Sequence, residues 1–180
     1  NAEVFLPRLI ARAGIEPTPQ LLRALRWLRD NPTRSDEPAV LTHNDFGFNN
    51  LLFEDNRVSA VLDWECSRLG DPADDMIWTQ LSLSIETMPE FVERYNRATG
   101  RNVDMFRIAY AQLQRCVLLF IGGLTAVRCI EGDERAPLEM AAMAYNLIAQ
   151  FGSDVGAVIA AAETARAASP FENKSGGVDG

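Results

Sequence analysis

Lysine is nearly absent from this chain: Lys174, close to the C-terminus, is the only one in 180 residues. His43 is the only histidine. A metal centre built on several imidazoles is thereby excluded, and little remains to hold a transition metal. The three cysteines, Cys66, Cys116 and Cys129, are odd in number and widely spaced, with no Cys-x-x-Cys. They read as free thiols in a reducing cytoplasm, neither a disulfide frame nor a zinc site. No basic-then-apolar signal sequence opens the chain. The most apolar run, from Cys116 to Val127 between Arg115 and Arg128, is too short to cross a bilayer and predicts a buried helix. Positive charge is outnumbered, with 17 Lys and Arg against 25 Asp and Glu. A formal net charge of −8 argues against a nucleic-acid surface and against anionic membranes, and keeps the protein soluble.

What is present is a set of acids and amides at suggestive spacing. His43-Asn44-Asp45-Phe46-Gly47-Phe48-Asn49-Asn50 is followed by Val61-Leu62-Asp63-Trp64-Glu65. Four residues separate Asp45 from Asn50, so a curled loop can aim both side chains at one point. Asp63 follows Asn50 by 13 positions (63 − 50), a distance that fits a short β-hairpin returning the second acid to the first two groups. Phosphoryl transfer from a nucleotide needs these three roles: an Asp to accept the hydroxyl proton, and an Asn plus an Asp to hold Mg²⁺ on the phosphates. Mg²⁺ takes few protein oxygens and leaves the rest of its shell to water and phosphate, so two such side chains suffice. Asx residues are common in turns for local reasons, so an isolated Asp-x-x-x-x-Asn carries no information. The joint pattern carries it: a strand-like Ala39-Val40-Leu41, the Asp/Asn loop, a hairpin, Asp63, then Gly70-Asp71-Pro72.

These residues bear a resemblance. His-x-Asp-x-x-x-x-Asn, Leu62-Asp63-Trp64-Glu65 and Leu69-Gly70-Asp71-Pro72-Ala73-Asp74-Asp75 resemble the aminoglycoside phosphotransferase/choline kinase-like family. Its bacterial branch related to the kinase-like domains attached to some acyl-CoA dehydrogenases is the nearest in character. The motif-bearing match runs from about Val40 to Met76. The resemblance implies that Asp45 is the catalytic base and that Asn50 and Asp63 are the Mg²⁺ ligands, with ATP or another NTP as phosphoryl donor. It makes Asp75 a buried, loop-organising acid and His43 a packing residue that braces the loop. No Ser or Cys is placed beside His43 in sequence as a nucleophile. Asn44 departs from the Gly or Arg usual in the family, at a position whose side chain does not perform the chemistry.

Periodicity supplies the frame. Phe5, Leu6, Leu9, Ile10 and Ala13 recur at helical spacing, closed by Gly14. Thr18 and Pro19 open a second helix lined by Leu21, Leu22, Leu25 and Leu28 and ended by Asn31-Pro32. Val40–Thr42, Asn50–Phe53 and Val58–Leu62 are short β-like runs, the last two a hairpin across Glu54-Asp55-Asn56. Helices are predicted at 72–86, 89–99, 104–130, 135–151 and 153–168, with a break at Gly152. The expected fold class is mainly α with a small antiparallel β-hairpin element, the C-terminal lobe of a protein-kinase-like fold. That lobe is expected over 3–168. Asn1-Ala2 reads as a tag remnant and 169–180 as a disordered tail.

A complete kinase also needs a Gly-rich loop over the phosphates and a strand Lys. The roughly forty residues before the motif are helical in pattern and hold neither. The chain therefore reads as one lobe of an enzyme, and the intact Asp45, Asn50 and Asp63 set favours removal of the other lobe over evolutionary loss. The leading expectation is a cytoplasmic ATP-dependent phosphotransferase acting on a small-molecule hydroxyl, with no nucleic-acid or membrane partner. Glu65, Trp78 and Glu86 are candidates to contact the acceptor, though surface or core roles suit them as well. A homodimer is expected through the apolar surface that loss of the other lobe exposes. The alternative is a catalytically silent kinase-like module that works through partners. A metal-dependent hydrolase using His43 and Asp45 with Asp71, Asp74 and Asp75 is a third reading, poor in ligands.

Overall fold

The computed structural model describes residues 2–33, 36–83, 86–131 and 138–169. Backbone contacts divide the chain into two compact units, one of residues 1–33 and 112–167, the other of residues 34–111 and 168–180.

The first unit is helical. It contains α1 (Ala2–Ala13), α2 (Pro19–Asp30), most of α5 (Met105–Glu131) and α6 (Leu138–Ala168). Gly14 adopts φ +62 just past α1, a left-handed turn that a side chain would resist. Thr18 caps α2 through its hydroxyl, which accepts from the Leu21 amide at 3.2 Å, and Pro19 follows where no amide donor is needed. Leu21, Ala24 and Leu28 turn inward from α2, and Leu22 stays outside. In α5 the buried residues Leu113, Val117, Phe120 and Ile121 form one stripe. Phe120 stacks on Phe151 of α6 with ring centroids 4.1 Å apart. Each such side chain contributes roughly 1.5–3 kcal/mol by leaving water.

One expectation is corrected here. The predicted break at Gly152 is absent: α6 runs unbroken through it, because Phe151, Val155 and Ile159 bury one face on either side. Packing of that kind outweighs the roughly 1 kcal/mol that a helical glycine costs. The expected helix over 104–130 is found as α5, which contains the apolar run Cys116–Val127. Met105–Ile130 is long and apolar enough to cross a membrane by length and composition, with 28% of that window buried.

The second unit carries the motifs. β1 (Val40–Thr42) pairs antiparallel with β4 (Arg68–Gly70), in the register Val40 to Gly70 and Thr42 to Arg68. β2 (Leu51–Glu54) pairs antiparallel with β3 (Arg57–Val61) as the expected hairpin. Short 3₁₀ turns at Phe48–Asn50 and Trp64–Cys66 lead into β2 and out of β3. α3 (Pro72–Leu83), α4 (Met88–Thr99) and the start of α5 complete the unit. Ala73, Met76 and Ile77 of α3 pack with Val92 of α4 and with Val103, Ile108 and Ala111. Arg107 is buried and held by Asp71, with Nε to Oδ2 at 2.9 Å and Nη2 to Oδ1 at 3.0 Å, while Nη1 donates to Glu37 Oε2 at 3.1 Å.

The mainly helical class with small antiparallel strands holds. β4 is an addition to the expected β runs, and it supplies the partner of β1. α3 is described through Leu83; residues 84 and 85 of the predicted helix lie outside the described residues, and Glu86 itself is a bend. Asn1 of the expected tag remnant and residues 170–180 of the expected tail lie outside the described residues. Ser169 is described, and its hydroxyl donates to Asp104 Oδ2 at 2.7 Å.

Candidate active site

The loop from His43 to Asn50 leaves β1 and enters β2. Three consecutive backbone amides at its start are each spoken for. The His43 amide donates to Asp75 Oδ2 at 2.8 Å, the Asn44 amide to Asp75 Oδ1 at 2.7 Å, and the Asp45 amide to His43 Nδ1 at 3.3 Å. Asp75 sits in the first turn of α3, where the helix dipole favours a carboxylate. Asn44 adopts φ +63, a conformation Asn tolerates better than most residues. Asp75 thus organises the loop.

His43 is buried at 2% exposure. Its Nε2 lies 2.7 Å from the Leu62 carbonyl, and since Nδ1 accepts from Asp45, the proton belongs on Nε2. Both nitrogens are spent, and the ring meets Trp64 with centroids 4.8 Å apart and Phe46 at 6.0 Å. This histidine is a brace in the geometry, with no ring nitrogen left for proton transfer.

Asn50 is buried, and its amide nitrogen donates both to the Asp45 carbonyl at 2.8 Å and to Asp45 Oδ2 at 2.9 Å. Those two bonds use both amide hydrogens and turn Oδ1 away from Asp45. Oδ1 accepts from Asn49 Nδ2 at 3.0 Å and keeps a second lone pair. Asp63 enters through the backbone. Leu62 donates to the Asn50 carbonyl at 2.8 Å, and the next residue, Asp63, adopts φ +62 and ψ +59 at the head of a 3₁₀ turn that its side chain does not cap. A left-handed non-glycine residue costs of order 1 kcal/mol or more and marks a candidate functional position. The Cys66 thiol senses the grouping: burial, then the charges of Glu65, Asp45 and Asp63, push it above its ordinary pKa.

The structure therefore joins Asp45 to Asn50 directly and sets Asp63 one residue past the Leu62–Asn50 backbone bond, while His43 and Asp75 hold the start of the same loop. The donor set is an amide oxygen and an exposed carboxylate, both hard ligands. That fits Mg²⁺ completed by phosphate and water oxygens, and does not fit a metal held by protein alone. Among the described residues, no three His, Cys, Asp or Glu side chains cluster as a metal cage.

The remaining candidates divide. Glu65 is exposed in the turn after Asp63. Trp78 is half-buried in α3, and Glu86 is committed to Arg94. Asp71 is taken by Arg107 and by the Ala73 amide at 2.9 Å, and Asp74 by Arg68 at 2.9 Å. With Asp75 holding backbone, the metal-hydrolase reading keeps only Asp45 of its acids, too few for a metal held by protein. Sequence reasoning missed Arg68 and also Ser82, whose Oγ accepts from the Phe48 amide at 2.7 Å. Neither carries a local signal, because both act across a tertiary contact.

Several known proteins are similar to this chain. Acyl-CoA dehydrogenase family member 11 from Pongo abelii is 36% identical over 114 residues, covering 52% of this chain and 15% of that protein. Hygromycin-B 4-O-kinase from Escherichia coli is 33% identical over 72 residues, covering 38% of this chain and 20% of the kinase. The chain thus spans a small part of the curated relatives it matches. A crystal structure assigned as an aminoglycoside phosphotransferase from Ralstonia eutropha superposes with a TM-score of 0.67 at 21% identity, covering 91% of this chain and 55% of that one. The shared fold is kinase-like. A model of the phosphotransferase enzyme family matches residues 6–114, more than half of the sequence, and the chain belongs to that family.

Proposed function

We propose that this chain is the catalytic and substrate-binding lobe of an ATP-dependent phosphotransferase that moves a γ-phosphoryl group to a small-molecule hydroxyl. The observation that carries the reading is the pair of hydrogen bonds from Asn50 to Asp45, which orients a carboxylate and an amide oxygen in one step. Asp45 Oδ2 is engaged by Asn50, so Oδ1 is available to align the acceptor hydroxyl and take its proton as the new P–O bond forms and the bond to the β-phosphate oxygen breaks. In a loose transition state the base is mostly a positioning group. Asn50 Oδ1 and the Asp63 carboxylate would hold Mg²⁺, which when bound neutralises charge on the β- and γ-phosphates. The Gly-rich loop and strand Lys of a full site are not in this sequence, so the phosphate clamp is supplied outside these residues. A cytoplasmic setting and self-association through the β-bearing face complete the reading.

The test is Asp45→Asn in a polypeptide that includes the clamp. Transfer of ³²P from γ-labelled ATP to a panel of aminoglycosides, sugars and metabolic alcohols should fall at least ~10²-fold, with nucleotide binding retained. Unchanged turnover removes Asp45 from the mechanism. The missing clamp favours a second reading, a catalytically silent module; that reading gains if no member of the panel is labelled by the unsubstituted polypeptide.

A further inference from the structure

Asn44 sits where the family resemblance leads one to expect Gly or Arg, and its side chain is not idle. Asn44 Nδ2 donates to Thr42 Oγ1 at 2.9 Å and to the Cys66 carbonyl at 3.2 Å. Its Oδ1 accepts from Arg68 Nε at 3.2 Å. Arg68 stands opposite Thr42 in the β1–β4 pair, and the Thr42 hydroxyl donates back to the Arg68 carbonyl at 3.0 Å. The far end of Arg68 donates from Nη2 to Asp74 Oδ2 at 2.9 Å. Gly70 makes room for this: a Cβ there would lie 3.0 Å from Asp74 Oδ2 and 3.1 Å from Thr42 Oγ1. A left-handed residue could have been glycine at no backbone cost. An asparagine in its place ties the loop to β4 and, through Arg68, to the first turn of α3.

We propose that Arg68 is a positioning residue for Asp45, acting through the side chain of Asn44, with Asp74 as its anchor. The catalytic meaning of this rests on the role given to Asp45 above. The Arg68 side chain is 47% exposed, so its contribution is directional hold on one loop and not burial of the unit. Asp74 faces Asp71 and Asp75 as well as Arg68. Burial first, then those two acids, push its carboxyl up to about 6, and Arg68 is the cation that opposes them. The anchor and the guanidinium therefore depend on each other.

The test is amide hydrogen exchange by NMR on the 180-residue chain at pH 7.5, without nucleotide or acceptor. Arg68→Ala should speed exchange of the Asn44 and Asp45 amides about threefold or more, while amides of the buried α5 stripe stay unchanged. Asn44→Gly keeps the left-handed backbone and removes the link, so Arg68→Ala in that background should add nothing further. Equal exchange in Arg68→Ala and the unsubstituted chain overturns the proposal, as does the same increment with Gly at position 44. Because this readout needs no phosphoryl transfer, its failure and the failure of the Asp45 assignment are separate results.

Discussion

Phe120 and Phe151 meet ring on ring in the helical unit, whereas His43 and Asn50 in the site-bearing unit are buried with every side-chain polar atom engaged. The first kind of contact is non-directional and scales with area removed from water. The second is directional: it contributes less net free energy per bond, but leaving one partner unmatched costs the full desolvation. A scaffold built the first way tolerates shape-conserving change. A site built the second way fixes atoms to within an ångström and fails when a single acceptor is lost. Asp75 illustrates this, since one carboxylate holds the amides of both His43 and Asn44.

Substitutions can break this contrast or sharpen it. The largest loss should come from the helical unit: Leu113 is fully buried, and Leu113→Ala should cost about 3 kcal/mol by chemical denaturation through the cavity it leaves. Exchange at the Asn44 and Asp45 amides below the global opening limit should stay put. Asp75→Ala should show the reverse emphasis. A loss of about 2 kcal/mol is expected from two stranded amides, with exchange at 43 and 44 rising far more than in α6. If Asp75→Ala loosens α6 equally, the two regions are not distinct.

The last effect is in pH. The Asp74 carboxyl, at about 6 in the fold against an ordinary 3.8, is raised, so the protonated form favours the folded state. That stability is present below pH 4 and is lost as pH rises through 6. Asp74→Asn lacks the loss. Its stability relative to the unsubstituted chain should therefore climb by roughly 2 kcal/mol from pH 4 to 7, the attraction of Arg68 being already contained in the raised value. Urea midpoints followed across that range give the slope, and a flat difference would mean that Asp74 titrates normally.

Much of the site was legible because its logic is local. Asp45, Asn50 and Asp63 are joined by a tight loop and a hairpin, and short connections leave few ways to arrange them. The fold class followed from helical periodicity for the same reason. What stayed hidden depends on residues far apart in sequence. β4 is three residues long and acquires meaning only by pairing with β1, and without it Arg68 is one arginine among many. Arg107 reaches Asp71 and Glu37 across 36 and 70 positions, and no periodicity announces that. Gly152 misled because a local cost was read without the packing on either side of it.

The left-handed backbone at Asp63 bears on how such a protein can lose its chemistry. Asparagine and glycine accept that conformation as readily as aspartate does, and each lies one base change from an aspartate codon. A lineage could shed the charge at this position with no folding penalty and no change in expression or melting. Under the metal-holding role proposed for Asp63, catalytic death would then be thermodynamically silent. Working and retired members of the family would pass the same stability screen, and phosphoryl transfer alone would tell them apart.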